Sequence, residues 1–299
     1  MSQLNWKKRS FGAKLFDSCN LMIMALIGVT VLYPFWQTLV ISFSTAQEAS
    51  SLGVHLWPGE WVTDTYRFLF TYEDIVMAYT NTIMRTVIGT ALILLFTVLV
   101  AYPLSKKELP FRNAFTIYFL IAMFFSGGLI PTYLLIKEIG LIDNRLSLIL
   151  PGAVSVFNII IMRNYFMTID KGIEESAMMD GASYWTVLLK IIIPLSKPVI
   201  ATIALWAAVG HWNAWFDAMI YIRDDSKTVM QMVIRKMLNS IDMATSESQI
   251  GEANRLNQNL LLANVRAAAV MISIGPIILM YPFVQKYFIK GIMIGSLKG

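Results

Sequence analysis

The twelve residues 206–217 hold three tryptophans, a histidine, an asparagine and an aspartate in an otherwise apolar stretch. Trp206, Gly210, Asn213 and Asp217 recur at i, i+4, i+7 and i+11, so one continuous helix would carry them on one face. Trp212 and Trp215 fall off that face, and His211 lies within the same stretch. Sugars suit such a lining: an indole covers the apolar C–H face of a ring, while amides and carboxylates meet its hydroxyls. Ionisable groups within apolar spans are functional candidates by default. Asn158 and Tyr133, in two other apolar stretches, are weaker candidates, because Asn and Tyr also hold helices together. The competing reading is that the tryptophans pack against neighbouring helices or lipid. Arg85, near the start of another stretch, is expected to snorkel.

Covalent and metal chemistry find little support. With only His55, His211 and the single Cys19, a zinc site is not expected. Neither H-E-x-x-H nor G-x-x-x-x-G-K-[ST] occurs, so the chain cannot cradle ATP phosphates by that route. A Ser/His/Asp arrangement is compatible with the composition, but nothing marks one. No catalytic residue, cofactor or metal is therefore assigned. Cys19 cannot form an internal disulfide.

A second cluster lies in residues 163–197. Asp170 is a natural helix cap, and Glu174 and Glu175 sit near the positive end of the helix it starts. Gly181 is a natural residue to stop that helix, and a second helix runs from about Ser183 towards Pro194. The chain thus builds helix, glycine turn, helix, and resumes an apolar course at Pro198. Ala177, Met178 and Met179 give the first helix a small adaptable apolar surface that fits a groove in a partner. The alternative is an amphipathic helix lying on a membrane.

These groups must be positioned by a membrane scaffold. Of 299 residues, 57% are hydrophobic and 14% charged, and the mean hydropathy is +0.61. A soluble domain carries about a quarter charged residues. Six stretches lack Asp, Glu, Lys and Arg and are long enough to span: 18–47, 86–105, 113–136, 146–162, 198–216 and 267–285. None alternates at period two, so a β-barrel is not expected. The fold class is an all-α membrane protein with six transmembrane helices. The first stretch follows a basic start but is too long for the core of a cleaved signal peptide, and reads as a retained helix.

Residues 1–17, 106–112, 163–197 and 286–299 carry 14 Lys/Arg in 73 positions, against 10 in 91 on the other side. The denser side is expected to be cytoplasmic, with both termini inside. The net charge of +5 reads as topology rather than as a nucleic-acid footprint. In the outer loop 48–79, Trp57, Trp61, Tyr66 and their aromatic neighbours read as a headgroup belt, or as a short helix touching a partner. Residues 223–266 form a long polar outer segment, and Met232 to Leu238 could be a short helix. Gly127 and Gly128 read as a helix break or close packing.

The 163–197 stretch resembles the signature loop of ABC importer permeases, E-A-A-x-x-D-G-A-x-x-x-x-x-F-x-x-I-x-L-P with a proline four residues on. Glu175, Ala177, Asp180, Gly181, Ala182, Ile191, Pro194 and Pro198 match in register, while Ser176, Leu188 and Ile193 depart conservatively. The segments 101–105, 126–132, 211–217 and 288–295 resemble maltose-type carbohydrate-uptake permeases. Within them they are similar to the branch linked with complex saccharides and lipoproteins.

The resemblance implies a type I importer fold in a bacterial cytoplasmic membrane. Residues 1–17 would be a cytoplasmic N-terminus, 18–77 the first helix and outer loop, 78–286 the permease core and 287–299 a cytoplasmic tail. It implies a second homologous permease, two cytoplasmic ATPase subunits that hold ATP and Mg, and an extracellular solute-binding lipoprotein. An oligosaccharide would be the cargo. Glu175 would face the ATPase or brace the loop, and Asp180 would fix the turn before Gly181. Ala177 and Ala182 belong to the same docking surface, and Pro194 and Pro198 would set the angle of the fifth span. Two alternatives stand beside this: a self-contained secondary transporter, and an importer of a monosaccharide, polyol or peptide. The first needs coupling-ion groups near the midplane and has no use for an ATPase dock.

Overall fold

The computed structural model describes residues 10–51, 53–71, 75–247 and 263–279. Among these residues all regular structure is helical. In chain order come α1 (Phe11–Phe43), α2 (Ala46–Ser50), α3 (Asp64–Thr71), α4 (Ile75–Ser105), α5 (Arg112–Phe124), α6 (Leu129–Glu138) and α7 (Val156–Phe166). Then follow α8 (Lys171–Met179), α9 (Tyr184–Val187), α10 (Ile193–Leu195), α11 (Lys197–Asn213), α12 (Phe216–Tyr221) and α13 (Met230–Glu247). A further apolar helix, α14, spans Ala263–Leu279. The chain divides into two compact units, Met1–Thr71 with Leu238–Ser273, and Tyr72–Met237 with Ile274–Gly299.

In the first unit, the Ser10 side chain caps α1 by accepting from the Ala13 N–H. Thirty-three residues give α1 a length of about 50 Å, more than a bilayer core requires. Its Leu, Ile, Met and Phe side chains are largely exposed, as lipid-facing side chains are. Beyond it, Trp57 and Trp61 pack edge to face at 5.6 Å, and Phe43 lies 4.8 Å from Tyr66. The aromatic run therefore forms a small cluster, and the short helix in that loop is α3.

In the second unit, α4 is the spine. It packs against α7 and α11 through Ile93, Ala101, Ile159, Met162, Ile203 and Ala207, all buried. Gly89 lets the two long helices approach, because a Cβ there would overlap the His211 imidazole.

The spans are less regular than an uncharged-stretch count implies. By length and composition two helices, α1 and α4, can each cross a bilayer. Three bent pairs raise the number to as many as five: α5 with α6 at 107°, Arg145–Gly152 with α7 at 45°, and Tyr184–Leu195 with α11 at 79°. The stretch 113–136 is thus broken rather than straight, and Gly128 supplies the break with φ of +84°. Of the expected sixth span 267–285, α14 covers the part to Leu279. Residues 280–285, the expected tail 287–299, the motif 288–295, residues 1–9 and the Asn/Gln run at 254–259 lie outside the described residues.

Candidate functional site

The loop 163–197 folds as two short helices around a turn. Asp170 caps α8, its carboxylate accepting from the Gly172 N–H at 2.9 Å. At the far end the Gly181 N–H donates to the Met178 carbonyl, and the Ala182 N–H donates to the Ala177 carbonyl, both at 3.0 Å. This is a Schellman stop, and it puts Gly181 at φ of +86°. Asp180 is the last residue before that turn. Ser183 then caps α9 by accepting from the Thr186 N–H. A π-turn over Leu188–Ile192 and the short α10 follow, and Pro194 and Pro198 flank the 79° bend into α11.

Two neighbouring acids on α8 lie in different settings. Glu174 is tied inward to Lys106, just past the end of α4, whereas Glu175 is exposed. Lys106 also lies over the Tyr102 ring, 4.4 Å from its centroid. The last turn of α4 is held as well by two arginines: Arg112 Nε and Arg163 Nε both donate to the Leu104 carbonyl, at 2.9 and 3.1 Å. Met179 is 88% exposed, and Asp180, Tyr184 and Trp185 are also exposed. A cavity of about 410 Å³ opens beside Tyr184 and Trp185, lined also by Tyr102, Pro103, Leu109 and Leu188 among others. The loop therefore offers a braced helix with an outward apolar and acidic surface. The sequence reading placed Glu174 beside Glu175 at the positive end of the helix but gave the coupling role to Glu175 alone, and it did not pair Glu174 with Lys106. The only available signal was the cationic turn that ends an apolar stretch.

At the other end of α4 the structure corrects the single helical face. Helix α11 stops at Asn213, Ala214 is extended, and α12 starts at Phe216, so Trp206 and Asp217 do not share one helix. Asp217 is paired with Arg85, whose Nη1 also donates to the Ala214 carbonyl at 3.3 Å. Arg85 does not snorkel: its side chain is 5% exposed. Asn213 is exposed, and Trp215 lies under the Arg235 guanidinium at 3.8 Å. Trp206 is half exposed beside Phe157, with ring centroids 6.0 Å apart. His211 is buried against Gly89. Asn158 is buried in the first turn of α7, and Tyr133 stacks on Tyr221 at 6.3 Å. The candidates thus fall into separate places, with Asn213, Trp215 and Asp217 gathered at the α11–α12 break.

The same end of α4 gathers other loops. Asn81 Nδ2 donates to the carbonyls of Ser226 and Thr228, and Asn81 Oδ1 accepts from Arg145 Nε at 2.9 Å. Thr82 Oγ1 accepts from the Met230 N–H. Beside them Asp143 accepts from the Arg223 and Asp224 N–H groups at 3.1 and 3.0 Å, and from Lys227 Nζ at 2.9 Å. These donors, Lys227 first, hold the Asp143 carboxyl down at about 2. Among the described residues no cluster of His, Cys, Asp and Glu is arranged to hold a metal.

Comparison with known proteins gives this geometry a context. Residues 67–294 match the family model described as "Binding-protein-dependent transport system inner membrane component". Protein LplC of Bacillus subtilis (strain 168) is 38% identical over 300 residues, covering 100% of both chains. The polygalacturonan/rhamnogalacturonan transport system permease protein YtcP of the same organism is 35% identical, over 96% of this chain and 99% of the relative. Among solved structures, a chain of a bacterial ABC transporter involved in the import of the acidic polysaccharide alginate superposes with a TM-score of 0.80. It is 34% identical and covers 94% of this chain and 99% of that one.

Proposed function

The chain belongs to the family of binding-protein-dependent transport system inner membrane components, and from that premise we propose how it works. It is the membrane permease subunit of an ATP-driven carbohydrate importer, and its cargo is an oligosaccharide. It pairs with a second, homologous permease, and the two form the translocation path. Two cytoplasmic ATPase subunits hold ATP and Mg. An extracellular solute-binding lipoprotein delivers the cargo. The chain crosses the bacterial cytoplasmic membrane six times with both termini inside: 1–17 cytoplasmic, 18–77 the first helix and outer loop, 78–286 the permease core, 287–299 the tail.

The observation that carries the coupling role is the braced, Schellman-stopped helix α8 inside the family-matched segment. Allosteric linkage requires a contact that moves with the ATPase and a rigid element to transmit the motion. Exposed Glu175, Met179 and Asp180 are the contact, with Ala177 and Ala182 shaping the turn behind them. Glu174 and Lys106 pass the motion to α4. Some twenty residues separate Lys106 from Arg85, so α4 carries it about 30 Å. There Arg85 grips Asp217 and the Ala214 carbonyl, at the break where Asn213 and Trp215 meet the cargo. Trp206, His211, Asn158 and Tyr133 line or support the rest of the path.

The test is purification of the tagged chain from its native membranes, followed by mass spectrometry and uptake in vesicles. A second permease and an ATPase should co-purify, and oligosaccharide uptake should require ATP. A chain that purifies alone and transports without ATP would be a secondary transporter.

A further inference from the structure

The Arg235 guanidinium lies 3.8 Å from the centroid of the Trp215 ring. Arg235 is on α13 and is exposed, while Trp215 sits at the α11–α12 break, two residues after the exposed Asn213. Arg85 is paired with Asp217, Lys227 with Asp143 and Asp224, and Lys236 with Asp225 at 2.5 Å, while Arg145 is bonded to Asn81. Among the described residues no carboxylate is bonded to Arg235. Asp217, the acid nearest Trp215 in sequence, is taken up by Arg85.

We infer that Trp215 and Arg235 form a carboxylate-reading element for an acidic saccharide, one built of uronate units. A guanidinium laid on an indole face keeps its N–H edge free while its long side chain is already ordered. That edge matches a carboxylate with two parallel hydrogen bonds, which an ammonium cannot do. The ordering cost that a flexible arginine would meet on binding is thereby reduced. The exposed Asn213 amide supplies the hydrogen-bonding group that a neutral hydroxyl needs. With Asp217 neutralised, the break presents an amide, an indole and a guanidinium that no carboxylate among the described residues pairs, which favours an anionic sugar over a neutral one. Arg235 is then the specificity-determining residue and Trp215 its positioning residue.

This inference rests on the oligosaccharide-importer reading. The test uses cells carrying the complete importer, with trigalacturonate, its methyl ester and maltotriose as labelled probes. Variants are compared at equal membrane abundance and at probe concentrations well below saturation, where the rate reads binding. Arg235→Gln should lower the rate for trigalacturonate by about tenfold, the scale of one lost charge-assisted hydrogen bond, and leave the methyl ester unchanged. Arg235→Lys should fall between. Trp215→Leu should slow all three probes, since its indole also meets the sugar ring, but trigalacturonate most, and Trp215→Phe should restore most of the preference for the acid. An equal loss for all probes would overturn the inference in favour of a protein contact or a folding role. Wild-type uptake of neutral probes alone would overturn it and leave the importer reading standing. Uptake of no saccharide would overturn both.

Discussion

Lys106 and Glu174, 68 residues apart in the chain, form an ion pair that fastens the amphipathic helix α8 to the end of the spine helix α4. Their side chains are only 20% and 13% exposed, so water screens the pair weakly. The neighbouring Glu175 remains exposed, so one turn of helix carries an acid tied inward and an acid facing outward.

Replacing Glu174 by Gln should therefore leave the importer assembled but poorly coupled. Losing this charge-assisted contact removes about 2 kcal/mol of fastening. ATP hydrolysis should continue while uptake per ATP falls. The exchange Lys106→Glu with Glu174→Lys should recover much of the coupling. Equal uptake per ATP in Glu174→Gln would remove the pair from the mechanism.

Gly181 is predicted to tolerate substitution by conformation rather than by size. A Cβ added there meets nothing within 4 Å, but φ is +86°. The left-handed region costs an ordinary side chain about 1–2 kcal/mol, and Asn bears it best. Coupled uptake should fall in the order Gly, Asn, Ala, Val. An order that follows side-chain volume alone would contradict this.

Arg85→Leu should cost about 3 kcal/mol, because Asp217 loses its cation at a partly buried site. The double change Arg85→Leu with Asp217→Leu should recover most of that loss in detergent melting curves. It should still slow uptake, since the α11–α12 break loses the donor to the Ala214 carbonyl. Additive destabilisation would mean that the two side chains do not act as a pair.

The Asp143 clasp sets a pH window. Its folded pKa is lowered to about 2 from 3.8, so its contribution is complete above about pH 4 and disappears as pH falls through about 2. Lys227 is raised above 10.5, chiefly by its bond to Asp143, so that partner is lost only as pH rises through the raised value. At about pH 8, well inside these limits, trypsin cleavage after Arg223 should be slow. Asp143→Asn should speed it up at that pH.

The helical, membrane-bound class was readable because long uncharged stretches leave few alternatives to a helix. The α8 stop at Gly181 was readable because caps are local: Asp170 and Gly181 act within a few residues. What failed was the assumption of continuity. The face joining Trp206 to Asp217 presumed a helix through Ala214, but Ala214 is extended and its carbonyl accepts from Arg85 of another helix. The clasp at Asp143 and the brace at Lys106 were equally hidden, since each joins residues more than sixty positions apart. Spacing along one segment carries no trace of such partners.

The most direct test of coupling through α8 is a site-specific crosslink from its exposed end. With Cys19 replaced by Ser, Met179→Cys places a thiol on a side chain that is 88% exposed. A short thiol-to-amine reagent would be applied to the purified importer with and without ATP. The account predicts an adduct between this chain and the ATPase subunit, with a yield that changes when nucleotide binds. It would be contradicted if Met179→Cys reacted freely with a soluble maleimide in both states and gave no adduct.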